Sequence, residues 1–364
     1  MTQPSYFPLP LTIEDITAEW LTAALRSRVP DVTVHSVRIV DLIRSTSTKI
    51  RLRLEMNEAG KRAGIPETII LKGGFEPHSR EMAFMHEKEA RGYRDVFPAF
   101  GLPTPACYFA DYAPDQRHGI VLMEDLVARG VSFCDPLKPQ TYEQVSRRLE
   151  TLARFHAKSW GTQEFLPGGQ WQEIETQFGY IRPYLEHYFE PAAWARFTAL
   201  PQGAAASVRF LDRDWAVGAL DRMTHYSLQL PHSILHADTH LGNLYIDTDG
   251  TPGFFDSLTS RGPGMLEVAY HIGCAVDSAD RPRWEVALVR DYLVELGRNG
   301  VAAPSLDEAM YQYAVFLAYG MLIFLINETF FQSGAINTAY VARFNAAMLQ
   351  HDTFGLLQAI DPGS

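Results

Sequence analysis

Cysteine is scarce in this chain: Cys107, Cys134 and Cys274 are widely spaced and odd in number. They form no CxxC pair and no disulfide framework, so a reducing compartment, the cytoplasm by default, is expected. Basic charge is also short. The 32 Lys and Arg residues face 43 Asp and Glu, a formal net charge of -11, whereas duplex nucleic acid or an anionic membrane calls for basic stripes. Neither is an expected partner. The longest apolar run, Tyr313 to Ile326, ends at Asn327-Glu328. It falls short of the roughly 20 residues that cross a bilayer, so it reads as a core helix without membrane insertion. The opening MTQPSYFPLPLTIEDI has no basic segment leading into an apolar one and does not read as a signal peptide. Internal repeats and low-complexity segments are absent.

What remains is the composition of a globular protein, 46% hydrophobic and 12% aromatic over 364 residues. That is more chain than one ordinary core takes up, so two lobes are expected. The first third reads as β-rich. Val32, Val34 and Val37–Val40 come first. Ile50, Leu52 and Leu54 then alternate with Arg51 and Arg53, and Thr68–Leu71 follows beyond a polar break at 57–64. Two more strands are predicted around 106–110 and 120–123. A helix start is predicted at Thr12, with Ile13, Ile16, Trp20 and Ala24 at helical spacing, and a longer helix over 79–96. Beyond Glu124-Asp125-Leu126 the pattern is helical, with predicted helices over 142–160, 173–189, 212–228, 284–297, 306–331 and 337–351. The expected division is 1–125 for a β-rich lobe and 126–364 for a helical one.

A single β interruption lies at 234–255. Leu244-Tyr245-Ile246 and Gly253-Phe254-Phe255 flank Asp249-Gly250, a strong hairpin signal. A two-residue turn there sets Leu244 opposite Phe255 and Asn243 opposite Asp256. Asp238 lies on the loop leading in. Oxygen ligands suit a hard Mg²⁺ ion, and a separate carboxylate suits the activation of a hydroxyl.

At this point a resemblance enters. His236-x-Asp238-x-x-x-x-Asn243, followed by a hairpin and Asp256, resembles the catalytic loop and second metal-binding Asp of kinases. The wording HADTHLGN is similar to the aminoglycoside phosphotransferase and choline-kinase-like small-molecule kinases, closest to their ecdysteroid-kinase-like branch. The resemblance implies an α+β, protein-kinase-like two-lobe fold and transfer of the γ-phosphoryl of ATP or GTP to a small-molecule alcohol, with Mg²⁺ as cofactor. By this resemblance Asp238 is the catalytic base and His236 braces its loop. Asn243 and Asp256 bind magnesium, and Lys72 contacts the nucleotide phosphates. Glu89 holds Lys72, with Glu87 as the neighbouring competitor. The hinge-like run 121–126 places Glu124 and Leu126 at the nucleotide base, and Ser45, Thr46 and Ser47 lie on the phosphate-covering segment Arg44–Lys49. Departures are Ala237 where the group commonly has Gly, Ser257-Leu258 after the metal Asp, Glu267 where an Asp commonly buttresses the loop, and no glycine between Arg44 and Lys49.

Two rival readings use the same residues. A nucleotide-binding pseudokinase would keep the fold without turnover, but the Lys, Asp, Asn, Asp set is complete. A metal-dependent hydrolase would take His236, Asp238 and His240 as transition-metal ligands, yet His225, His232 and His271 are scattered. The aromatic stretch from Trp160 to Trp194 reads mainly as helix packing, with some rings available to line an acceptor pocket. Such a pocket suits an apolar or ring-bearing alcohol, while Glu173, Glu175, Glu186 and Glu190 leave a cationic acceptor open. Aminoglycosides, choline-like alcohols, steroid alcohols and hydroxyacyl thioesters all suit the branch.

Overall fold

The structure, a computed structural model, describes residues 8–44 and 47–361. These fall into two compact units. The first comprises the described part of Met1–Ser132 together with Tyr245–Leu258, and the second comprises Phe133–Leu244 and the described part of Thr259–Ser364.

In the first unit, β1 (Val34–Ile43), β2 (Thr48–Met56), β3 (Thr68–Gly73), β4 (Cys107–Ala113) and β5 (His118–Glu124) form an antiparallel sheet of order β1-β2-β3-β5-β4. The two-residue period of strands sends Ile50, Leu52 and Leu54 to one face. There they share a core with Ile69, Leu71, Ile120 and Leu122 and with helix α1 (Ala18–Arg26). Trp20, Leu21, Ala24 and Leu25 form the buried stripe of α1. Each Leu or Ile that is fully buried contributes about 2 kcal/mol. The same alternation gives the other face to Lys49, Arg51 and Lys72, and Lys49 and Lys72 are directly opposed partners across the β2–β3 ladder.

Two expectations are corrected here. Thr12 opens only a short 3₁₀ turn, its N–H donating to the Asp15 carboxylate at 3.0 Å. The helix itself starts at Ala18, where the Thr17 hydroxyl accepts the Trp20 N–H at 3.1 Å. The helix expected over 79–96 is interrupted. A 3₁₀ turn at Pro77–Arg80 precedes α2 (Ala83–Arg91), which widens into a π turn at Gly92–Val96. Pro98 then sits in the first turn of Phe97–Phe100, where its missing N–H is tolerated.

The hairpin strands are Leu244–Ile246 and Pro252–Phe254, and their register differs from expectation by one residue. The Asp247 N–H donates to Thr251 O at 2.8 Å, and the Gly250 N–H donates to Asp247 O at 2.9 Å. Gly250 has φ 85° whereas Asp249 is not left-handed, so the connection is a three-residue loop ending in a left-handed glycine. Tyr245 accordingly lies across from Gly253, where a Cβ would sit 2.0 Å from its ring. The derivation that set Leu244 opposite Phe255 and Asn243 opposite Asp256 does not hold, because a one-residue slip exchanges the faces.

The second unit is mostly helical: α3 (Tyr142–Ala157), α4 (Gln177–Tyr188), α5 (Arg213–Leu228), α6 (Gly264–Ala275), α7 (Arg281–Arg298), α8 (Leu306–Leu325) and α9 (Gly334–Gln350). Caps set several starts. The Thr141 hydroxyl and the Gln144 amide form a reciprocal box at α3, and the Asp212 carboxylate accepts the Trp215 N–H at 2.7 Å at α5. Sequence periodicity did not reveal α6, because all of its residues are buried and no polar face marks the period. Helix α8 extends the apolar run to 20 residues, long and apolar enough by length and composition to cross a membrane, and most of it is buried among its neighbours. A short antiparallel pair, Ser233–Leu235 with Ser260–Gly262, frames the segment that follows Leu235.

Candidate functional site

The first unit carries a charged cluster on the sheet face away from α1. Lys72, at the end of β3, donates to Glu89 Oε1 at 2.6 Å and to Asp256 Oδ1 at 2.8 Å. Lys49 of β2 donates to Asp256 Oδ2 at 2.7 Å, and its ammonium lies 5.8 Å from the centre of the Phe255 ring. Glu89, one helical turn from His86 on α2, is thus the residue that holds Lys72, while Glu87 pairs with Arg91 at 2.7 Å.

Burial alone would lower the Lys72 ammonium, but the charges of Asp256 and Glu89 outweigh it and hold its pKa above the lysine range. Asp256 resists burial in the same way through Lys49 and Lys72, and its carboxyl lies well below the usual range. Burial and the neighbouring Asp256 charge push Glu89 up, against the lowering pull of Lys72. Asp256 also adopts a left-handed backbone, φ 57°, where a non-glycine residue is uncommon.

The segment before Lys49 is held by Glu76 and a histidine. Thr48 donates to Glu76 at 3.0 Å and Arg44 pairs with Glu76. Ser47 lies 3.3 Å from His86 Nδ1. Burial, then the Lys72 charge, push the His86 imidazole down to about 3, so it stays neutral. Ser45 and Thr46 lie outside the described residues. At the hinge-like run, the Glu124 N–H donates to Ala106 O at 2.8 Å and its carboxylate pairs with Arg129 at 3.0 Å. Buried Leu126 opens a single helical turn capped by Asp125, which accepts the Val127 N–H at 3.1 Å.

The second unit carries the loop 236–243. Its start is fixed by Leu235 in the short ladder, and its underside by Glu267 of α6. The Glu267 carboxylate accepts the Ala237 N–H at 2.6 Å and the His236 N–H at 3.2 Å. It also lies 2.9 Å from His156 Nε2, while His156 Nδ1 meets the Tyr292 hydroxyl at 2.8 Å. Burial raises the Glu267 pKa, but the His156 hydrogen bond and these N–H donors bring it below its ordinary value. Glu267 therefore fills the buttressing place that a shorter Asp takes in the resembling group. Ala237 sits at φ 71°, which supplies the physical reason for a glycine at this position.

Asp238 is then held from two sides. Tyr270, one turn beyond Glu267, donates its hydroxyl to Oδ1 at 2.9 Å, and the Asn243 amide donates to Oδ2 at 2.8 Å. Burial works against the Asp238 charge, but His240 and the Tyr270 hydroxyl outweigh it, so the carboxylate stays ionised below its ordinary range. His236 is fully buried, and its Nδ1 accepts the Asp238 N–H at 3.3 Å. That ring braces the loop from within. It is not turned toward His240, whose Nε2 lies 3.6 Å from Asp238. Among the described residues no three His, Cys, Asp or Glu side chains form a metal cage.

The arrangement offers chemistry of two kinds: an ionised, oriented carboxylate at Asp238, and a paired set of ammonium groups at Asp256. Asn243 and Asp256 both present oxygen, the donor hard divalent cations prefer. The amide nitrogen of Asn243 donates to Asp238, and Asp256 binds cationic groups through both oxygens. Each of the two residues thus offers an oxygen of the kind a hard divalent cation takes.

Lys49 and Tyr270 are the residues that sequence reasoning missed. Lys49 needed the β2–β3 register, and Tyr270 needed α6. Most of the aromatic stretch is packing: Phe178 meets Phe316 and Tyr319, Tyr188 meets Phe197, and Trp194 donates to Leu211 O.

The sequence pattern of the ecdysteroid kinase-like family matches residues 44–249, more than half the chain. No curated protein matches the sequence. Among solved structures, amicoumacin kinase hAmiN, in complex with AMP-PNP, Ca²⁺ and Ami, is 12% identical with a TM-score of 0.53 over 90% of each chain. Choline kinase from Cryptosporidium parvum Iowa II is 11% identical with a TM-score of 0.52, covering 94% of this chain and 98% of that one. The fold class is therefore α+β and protein-kinase-like, with a β-rich first unit and a mostly helical second one.

Proposed function

Because the chain belongs to the ecdysteroid kinase-like family, we propose that it moves the γ-phosphoryl group of ATP, or GTP, to the hydroxyl of a small-molecule alcohol. The observation that carries this reading is the buried Lys72, held by Glu89 at 2.6 Å and by Asp256 at 2.8 Å. A lysine kept charged inside a protein by two acids is prepared to receive an anionic ligand, and a polyphosphate is such a ligand.

In this reading Lys72 anchors the non-transferred phosphates, and Glu89 fixes its position. The backbone of the Glu124–Leu126 run faces the nucleotide base, and Ser47 covers the phosphates. Asn243 and Asp256 hold Mg²⁺, which when bound neutralises charge on the phosphoryl oxygens. Asp238 accepts the hydroxyl proton of the acceptor at its carboxylate. Tyr270 and Asn243 keep that carboxylate ionised and aimed, and His236 and Glu267 hold the loop beneath it. Catalysis is then positioning and electrostatics more than covalent chemistry. hAmiN was solved with a nucleotide analogue and a divalent cation, which supports the same requirement here.

In this reading the acceptor is a small-molecule alcohol. The test is ADP release in magnesium with a panel of amino alcohols, aminoglycosides, steroid alcohols and hydroxyacyl thioesters. Acceptor-dependent ADP release with a phosphorylated product is expected. Nucleotide binding without turnover on any member would favour the pseudokinase reading.

A further inference from the structure

Lys49 has no place in the roles above, yet it belongs to the same charged cluster as Lys72. The two lysines are cross-strand partners on β2 and β3. Like charges directly opposed in a ladder repel, so the pairing persists because an acid lies between them. That acid is Asp256, with one oxygen on each ammonium, at 2.7 Å and 2.8 Å. Lys72 has a second acid in Glu89. Among the described residues, Asp256 is the one carboxylate that pairs with Lys49. The Lys49 side chain is about one-third exposed, against 8% for Lys72, so it can be reached and can turn.

We propose that Lys49 is a second phosphate-binding lysine, whose ammonium leaves Asp256 for the nucleotide polyphosphate when that carboxylate is engaged elsewhere. The proposal rests on the nucleotide-dependent reading above. Its logic is charge balance. The isolated cluster holds two ammonium groups and two carboxylates. Once Asp256 turns to a divalent cation, Lys72 keeps Glu89 while Lys49 is left with no acid. A polyphosphate oxygen restores the balance, and a charge-assisted contact of that kind is among the stronger hydrogen bonds. The segment just before Lys49 fits the same picture, since its sequence carries hydroxyl residues and no glycine. Lys49, at the end of that segment, adds a positive charge beside that of Arg44, which is paired with Glu76.

The experiment is calorimetric titration of ATP and AMP, each with magnesium, into wild type, Lys49→Met and Lys49→Arg. Lys49→Met is expected to weaken ATP about tenfold or more and AMP only slightly, and Lys49→Arg to restore most of the loss. Unchanged ATP affinity in Lys49→Met overturns the proposal while leaving the nucleotide reading intact. Tighter ATP binding overturns it too, because Lys49 would then be a competitor for Asp256. If wild type binds no nucleotide, both readings fall. Should Lys49→Met lose cooperative unfolding, acetylation of wild-type Lys49 is followed by mass spectrometry. Protection by ATP and not by AMP supports the proposal, and equal modification overturns it.

Discussion

Around Asp256 the strong contacts are made by lysines from two neighbouring strands, whereas around Asp238 they come from the Tyr270 hydroxyl and the Asn243 amide, on a loop whose backbone Glu267 holds. The first assembly balances full charges with long side chains that have other places to go. The second holds one charge with short donors that do not. The difference suits the two tasks proposed for these residues. A phosphate and metal site must exchange partners when its ligand arrives, whereas a catalytic carboxylate must already be in place, because reorganisation at the moment of reaction raises the barrier.

The contrast is broken most completely at Asp238. Asp238→Ala is expected to reduce turnover by about 10³-fold or more while nucleotide affinity, measured by calorimetry, stays close to wild type. Next comes the support beneath the loop. Glu267→Ala removes a buried carboxylate that accepts two backbone N–H groups, and should cost about 3 kcal/mol or more in denaturant unfolding. Because the folded-state pKa of Glu267 is depressed, its contribution is present above its unfolded pKa and is lost as pH falls through the folded one. The stability difference between wild type and Glu267→Ala should therefore shrink on acidification.

Tyr270→Phe is a smaller and sharper change. It removes one donor to an ionised acceptor, worth about 1.5–3 kcal/mol, so kcat should fall by roughly ten- to a hundredfold with nucleotide KM little altered. The Asp238 pKa should rise without that donor, moving the acid limb of the rate profile to higher pH. A packing defect alone would lower the rate without moving the limb. Smallest of all is Ala237→Gly. A left-handed backbone at φ 71° costs an L-residue about 1–2 kcal/mol. Glycine gives back part of that in unfolded-chain entropy, so thermal unfolding should show a gain under about 1 kcal/mol.

How much of this was legible in the sequence follows from what kind of contact each residue makes. His236, Asp238 and Asn243 are neighbours in the chain, so their spacing alone brings the Asn243 amide to the Asp238 carboxylate. The five strands could be read because one face alternates and the other is polar. Glu89 over Glu87 came from the resemblance, and in the structure Lys72 meets Glu89 while Glu87 pairs with Arg91. What was not legible depends on tertiary register. The hairpin turn took three residues where Asp-Gly pointed to two, since Gly250 alone is left-handed. Helix α6, wholly buried, offers no amphipathic period, and Tyr270 was hidden with it. Lys49 looked like the end of a loop until the β2–β3 ladder set it beside Lys72.

The account turns on Asp256 as the carboxylate that passes from lysines to a metal-bound nucleotide. Calorimetric titration of ATP into wild type and Asp256→Ala, each with and without magnesium, tests this most directly. Magnesium-dependent binding in wild type that weakens at least about tenfold in the variant is the expected result. Equal affinity in the two proteins, or binding indifferent to magnesium, would contradict it.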